Sequence, residues 1–343
     1  MKSEVVIIGG GIAGISLGAR LAKDHQVTVL EAEIQPGYHS SGRSAAVYIE
    51  PYINETILDL TRASRDYHLG YGAVPTRALT VAGADDLVDL DAMMARWGGL
   101  CPDMQLVDPR ILFEAVPIIR PEAVVAVACD PSAMMLDAHT LLEGFRRGLV
   151  AGGGRVISNA RVDHIERGAR WKISYRDQHI EADILVNAAG AWGDDVAQMA
   201  GVKAIGLQPL RRTALLVDPG LDFASWPLVH QAGGGLYFKP EAGLLMVSPA
   251  DEHPSPPVDA QPEELDVAVA IDRFEKMTTV SVKKVYRTWA GLRTFLPART
   301  PAVGFDRNAE NFFWLVGHGG FGMQTSPALS ELAATRLRRQ ETL

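Results

Sequence analysis

Three glycines, Gly9, Gly11 and Gly14 in the run VVIIGGGIAGIS, constrain this chain more than any other feature. They follow a continuous apolar β run, Glu4 to Ile8, and open a proline-free stretch of apolar and small residues, Ile12 to Lys23, that reads as a helix. A second short β run, Gln26 to Leu30, ends at Glu31. Strand, helix and strand in this order form one β-α-β unit with parallel, buried strands. In such a unit the first glycine makes a tight turn, the second lets the backbone approach a pyrophosphate, and the third lets the helix pack on the strand. The phosphates lie at the helix N-terminus, where free N–H groups and the macrodipole favour negative charge. An acid about 20 residues further on, here Glu31, accepts hydrogen bonds from ribose hydroxyls and repels a 2′-phosphate. FAD and NAD both satisfy this motif.

Two later segments favour FAD, a long cofactor that distant parts of a chain must touch. NAAGAW, residues 187–192, is a small-residue turn after a buried strand, and GHGGFGMQTS, residues 317–326, is a glycine turn before a helix. Between the motifs, residues 65–137 read as an inserted segment with helices near 85–97 and 108–115. A helix follows over Leu136–Leu149, with Asp137 as N-cap and Gly152 to Gly154 as its end. Strands are expected at Arg155–Ile157, Val162–Glu166, Trp171–Tyr175 and Asp183–Val186. Residues 206–289 form a second β-rich region with strands at Thr213–Val217, Gly235–Lys239, Leu244–Val247 and Thr279–Tyr286, interrupted by the loop SPADEHPSPPVDAQPEE. Phe312–Val316 is a last strand and Ala328–Arg339 a closing helix.

Composition excludes several classes. A net charge of −8 over 343 residues argues against nucleic acid as a partner, because phosphate neutralisation needs clustered Lys and Arg. The densest basic run, Arg336 to Arg339, reads as a solvated helix end. Cys101 and Cys129 form no CxxC pair and no metal-ligand spacing, so reduced thiols and no metal are expected. The N-terminal apolar run is too short for a signal peptide, and no stretch reaches the roughly 18 apolar residues of a membrane span. A cytoplasmic protein is expected, free or peripheral to the inner face of the membrane.

VVIIGGGIAGIS, PGYHSSGRSAA, ILVNAAGAW, GLQPLRR, YFKP, QPEELD, WAGLRTFLPARTPAVG and GHGGFGMQTSPA together resemble the D-amino-acid oxidase family of flavoproteins from end to end, its D-arginine dehydrogenases in particular. The resemblance implies an α/β fold: a glutathione-reductase-type Rossmann FAD-binding domain with a second, α+β substrate domain built on a mixed β-sheet. The expected division is residues 1–48, 138–204 and 289–343 for FAD, and 49–137 and 205–288 for substrate. It implies noncovalent FAD contacts from Gly9, Gly11, Gly14, Glu31, Ser41, Arg43, Ser44, Ala45, Val162, Ala189, Gly190, Trp192, Arg293, Gly319, Gly320, Gly322, Met323 and Gln324. It also implies that Arg212, Arg293, Tyr52 and Tyr237 hold a substrate carboxylate and that the carbonyl of Gly320 takes the amine. An arginine fork grips a carboxylate bidentately, and a fixed carboxylate and amine turn one face of Cα to the flavin.

The implied activity is oxidative deamination of a D-amino acid to an imino acid, and then to a 2-oxo acid and ammonia. The alternatives are oxidation of glycine, sarcosine or another secondary amino acid, and a flavin-binding subunit without turnover of its own. The reaction needs an electron acceptor, with oxygen, a quinone and a carrier protein as the options. The chain departs from the arginine-specific pattern in the side-chain pocket: Ala78 stands where an acid would hold the guanidinium, Val47 and Ile49 replace polar residues, and Leu228 and His230 replace apolar ones. A cationic side chain would be poorly compensated there, so a neutral or apolar substrate is expected, with Glu50 as the one spare acid nearby.

Overall fold

The computed structural model describes residues 2–343. Strand β1 (Lys2–Ile8), helix α1 (Ile12–Leu21) and strand β2 (Val27–Leu30) form the expected unit, with β1 and β2 parallel from Val5↔Val27 to Ile8↔Leu30. The sheet continues through Arg155–Ile157 beside β2 and Gln178–Asn187 beside β1. Phe312–Val316 lies parallel to the second half of Gln178–Asn187, and the hairpin strands Val162–Arg167 and Trp171–Tyr175 attach to its first half.

Because successive side chains in a strand point to opposite faces, β1 divides its apolar run between two cores. Val5 and Ile7 pack with α1 and with the helices Ala138–Ala151 and Gly322–Arg339. Val6 and Ile8 pack with Trp171, Ile173 and Tyr175 of the hairpin. Each of these four side chains is buried, a gain of roughly 1.5–3 kcal/mol apiece over exposure. The helix Ala138–Ala151 starts where expected: Asp137 is its N-cap and accepts from the Thr140 N–H at 2.9 Å.

A second, nine-stranded mixed sheet is built from Ala78–Ala82, Gln105–Val107, Ala126–Asp130, Gln208–Val217, Leu228–Gln231, Tyr237–Glu241, Leu244–Ser248, His253–Pro254 and Val285–Phe295. Alternation again decides its two faces. Leu79, Val81, Leu215, Val217, Val229, Phe238, Leu245 and Val247 pack beneath Ala270 and Phe274 of the helix Glu264–Met277. The residues between them, Thr80, Arg212, Ala214, Leu228, His230, Tyr237 and Met246, line a cavity shared with the first sheet's C-terminal ends.

Three sequence expectations are corrected. Thr279–Lys284 is not strand: Thr278 Oγ1 donates to the Phe274 carbonyl and the Val282 N–H donates to Glu275 Oε1 at 2.6 Å, so this segment closes the preceding helix and the strand begins only at Val285. The segment after QPEE is the helix Glu264–Met277, hidden in the sequence by the proline-rich loop before it. The closing helix starts at Gly322 rather than Ala328, and Pro327 sits inside it.

Two predictions follow from packing. Asp137→Ala removes the cap of a helix that covers the first sheet and is expected to cost about 1 kcal/mol, read as a lower urea midpoint with an unchanged m-value. His230, paired with Thr80 at 2.9 Å on adjacent strands, is pulled by burial from its ordinary 6.5 to about 4. The unfolded chain binds that proton at the higher pH, so between those two values unfolding takes up a proton and stability falls as pH drops. His230→Gln is expected to flatten this limb of the Tm-against-pH curve; an unchanged slope between pH 6.5 and 4 would contradict a neutral buried imidazole.

Candidate active site

The cavity between the two sheets has a volume of about 950 Å³. At one end lies the glycine turn. A Cβ on Gly14 would run into the carbonyl oxygen of Gly9, and one on Gly9 into that of Ala188, so side chains are barred there by the approach of α1 to the sheet. Gly11 is the N-cap residue of α1 and lines the cavity. Ser41 Oγ accepts from the Ile12 N–H at 2.9 Å and thereby closes the loop 37–45 onto the helix start. Glu31 is buried, and its carboxylate accepts from the N–H groups of Gly10 and Glu33, each at 2.8 Å. Burial pushes its carboxyl up against the pull of these two bonds. Val162, Ala189, Gly190 and Trp192 complete this end.

Arg43 reaches the cavity wall, but its guanidinium donates to the carbonyls of Ala260 and Ala290, at 2.8 and 3.0 Å, and to Asp259 at 2.5 Å. It ties the loop 37–45 to the proline-rich loop. His39 sits beside it, 3.1 Å from Glu33 Oε1 and against the Trp192 ring.

The other end holds the remaining expected residues. The strands Gln208–Val217 and Val285–Phe295 are antiparallel with Arg212 opposite Gly291. Arg293, two residues along, therefore projects from the same face as Arg212, and diagonal neighbours of this kind are within reach of long side chains. Gly291, opposite Arg212, has no side chain, and a Cβ there would come within 3.3 Å of Arg43 Cβ. Arg211 points to the opposite face, where it pairs with Glu263 and Asp266. Arg293 Nη2 lies 2.5 Å from the Tyr52 hydroxyl, and the Arg212 guanidinium lies 5.9 Å from the Tyr237 ring centroid. A Cβ on Gly320 would strike the Arg293 guanidinium, so Gly320 lets its backbone stand directly against that group. Ser44, Ala45, Gly319, Gly322 and Met323 also line this end. Tyr52 is delivered by a segment that Gln324 fastens: its amide donates to the Ile49 carbonyl at 3.2 Å and to Thr61 Oγ1 at 2.8 Å, and accepts from the Ile49 N–H at 3.3 Å.

The cavity thus gathers every residue expected at the site except Gly14, which acts one layer behind, in the packing of α1. It also holds residues that the sequence reading missed. Glu252 Oε1 accepts from Arg293 at 2.6 Å and lies 3.4 Å from Arg212, and Glu252 Oε2 accepts from Arg299 at 2.6 Å. These arginines hold its carboxyl below the usual range against the opposing effect of burial. No local signal marked it: Glu252 lies in the proline-rich loop, and the pairing of Leu244–Ser248 with the Arg212 strand brings it there. The side-chain wall is Val47, Ile49, Leu228, Met93 and the Thr80–His230 pair. Ala78 does not reach it. Glu50 is not spare: Arg62 donates to it at 2.7 Å and Tyr48 at 3.1 Å, turned away from the cavity. His318, at the glycine-turn end of the wall, is pulled down to about 4 by burial. Among the described residues, Asp251, His253 and Asp266 bring acid and imidazole atoms within 4.8 Å, but Thr213 and Arg211 already bond their oxygens. No helix of the described residues is long and apolar enough to cross a membrane.

The chain is 22% identical over 358 residues to the mitochondrial dimethylglycine dehydrogenase of Rattus norvegicus, across 93% of this chain and 41% of that protein, so it spans about two fifths of that relative's length. It is 29% identical over 218 residues to D-amino acid dehydrogenase 3 of Mesorhizobium japonicum, across 60% of this chain and 51% of that one. The crystal structure of glycine oxidase from Geobacillus kaustophilus superimposes with a TM-score of 0.87 at 20% identity, over 99% of this chain and 96% of that one, which shows a shared fold. The family model of the FAD dependent oxidoreductases (DAO) matches residues 4–336, and the chain belongs to that family.

Proposed function

We propose that this chain oxidises the carbon–nitrogen bond of a D-amino acid with a neutral or apolar side chain, using noncovalently held FAD. The observation that carries this reading is the convergence of Arg212, Arg293, Tyr52 and Tyr237 on the wall of a cavity whose far end is a dinucleotide cradle. The residues present fit FAD. Gly9 and Gly14 keep the turn close to the sheet, the start of α1 opens on the cavity at Gly11, and Glu31 stands where a ribose would lie. Val162, Ala189, Gly190 and Trp192 would enclose the adenosine and pyrophosphate part. Ser44, Ala45, Gly319, Gly320, Gly322, Met323 and Gln324 would enclose the ring. FAD, when bound, supplies the acceptor for the hydride that leaves Cα.

The chain's own residues bind and orient. Arg212 and Arg293 hold the substrate carboxylate through charge-assisted bonds, and Tyr52 and Tyr237 add one directed bond each. The Gly320 carbonyl, beside Arg293, accepts from the substrate amine. Fixing both groups leaves Cα one face toward the ring, so orientation supplies rate and stereochemistry together. The amine releases its proton to solvent: His230 and His318 are both pulled to about 4 by burial and are weak proton acceptors. The resulting imine takes up water to give a 2-oxo acid and ammonia. A neutral side chain is favoured because Val47, Ile49 and Leu228 are apolar and Glu50 is engaged by Arg62. A buried cation without a counter-charge is costly.

A second reading, oxidation of glycine, sarcosine or another N-substituted amino acid, has the sequence likeness to dimethylglycine dehydrogenase behind it. The two separate in one experiment: anaerobic addition of D-amino acids, L-amino acids and sarcosine to the purified flavoprotein. Bleaching by neutral D-amino acids supports the first reading and faster bleaching by sarcosine the second. Bleaching by L-isomers alone would overturn the first. Arg293→Lys keeps a charge but loses the planar fork. It is expected to lower kcat/KM by about a hundredfold with FAD content unchanged, and unaltered kinetics would remove Arg293 from the substrate clamp.

A further inference from the structure

The substrate clamp already contains a carboxylate. Glu252 lies among three guanidiniums, with its nearer contacts to Arg293 and Arg299 at 2.6 Å each and its longer one to Arg212 at 3.4 Å. Arg293 is only 11% exposed. Two guanidiniums facing one cavity repel each other, and a buried unpaired cation is strongly disfavoured. A counter-ion is therefore required whenever substrate is absent, and Glu252 is the group that supplies it.

We infer that Glu252 is a resident stand-in for the substrate carboxylate, which leaves the clamp when substrate enters and so sets the affinity of the site for carboxylates. This rests on the reading of Arg212 and Arg293 as carboxylate ligands. The surroundings of Glu252 make the exchange a side-chain rotation. On one side Asp251 is pinned: its carboxylate accepts from the Thr213 N–H at 2.7 Å and from Thr213 Oγ1 at 3.1 Å, and its carbonyl accepts from Arg212 at 2.6 Å. On the other, His253 pairs with Arg211 in the sheet ladder and lies 3.1 Å from Asp266. The backbone of Glu252 is thus held at both flanks, while its side chain is 30% exposed and has open cavity beside it. Substrate binding exchanges one carboxylate for another, and the charge of the clamp is conserved. The departing side chain keeps Arg299, which is 40% exposed, as a partner nearer the mouth.

The test uses the FAD-loaded protein and propionate, a carboxylate without an amine to oxidise, titrated against the flavin visible spectrum. Glu252→Gln retains the shape and removes the charge. It is expected to bind propionate about tenfold more tightly than the natural chain, the scale of one charge-assisted hydrogen bond, and to lower KM for an oxidised amino acid rather than kcat. Propionamide, the uncharged control, is expected to gain nothing. Propionate binding that is unchanged or weaker in Glu252→Gln would overturn the inference and make Glu252 a support for Arg293. Propionate that perturbs neither protein would overturn the carboxylate clamp itself. Tighter propionate binding in a protein whose flavin no amino acid reduces would uphold the exchange while removing the proposed reaction.

Discussion

The ladder between Gln208–Val217 and Val285–Phe295 is the contact on which the site depends. Ten residue pairs run from Gln208↔Phe295 to Val217↔Val285. Antiparallel register puts Arg212 and Arg293 on one face and two residues apart, and a slip of one residue would turn both to the other side. The same register pairs Arg211 with Leu292 and sets Gly291 opposite Arg212. The strand Val285–Phe295 ends beside Gly319, bridged through Thr294, so the ladder also fixes the glycine turn against the arginine face.

Electrostatic compensation explains much of what surrounds this ladder. Every buried guanidinium near the site has an acid or a carbonyl: Arg43 has Asp259, Arg211 has Asp266, and Arg293 has Glu252. Two of these partners, Asp259 and Glu252, and the anchor Asp251 come from the one proline-rich loop, which reads in sequence as an interruption and acts in the fold as a source of counter-charge. Where no counter-charge is provided the group is neutral instead, as for His230 and His318, both shifted downward by burial. The cavity is therefore charged at Arg212 and Arg293 and uncharged along Val47, Ile49 and Leu228.

Much of the fold was legible because its signals are local. The turn at Gly9 to Gly14, the Asp137 cap, and the strands Arg155–Ile157 and Trp171–Tyr175 appear where periodicity and turn chemistry put them. Misplaced elements share a different cause. Thr279–Lys284 has β-branched residues and lies outside any strand: Thr279 bonds the Ile118 carbonyl, and Ser281 and Val282 bond Glu275 of the helix before it. The helix Glu264–Met277 has a weakly apolar face and is held by Ala270 and Phe274 against a sheet far away in sequence.

The sequence by itself determined the dinucleotide turn and the family, because glycine spacing and strand-turn-helix order are short-range properties. Only the tertiary structure decided which of Arg211 and Arg212 faces the cavity, that Glu50 is spent on Arg62, and that Glu252 lies between Arg293 and Arg299. Each of these is a question of which side chains meet across strands and loops more than ten residues apart. Such meetings are set by ladder register and by the need of buried charges for partners, and neither is written in any one stretch of the chain.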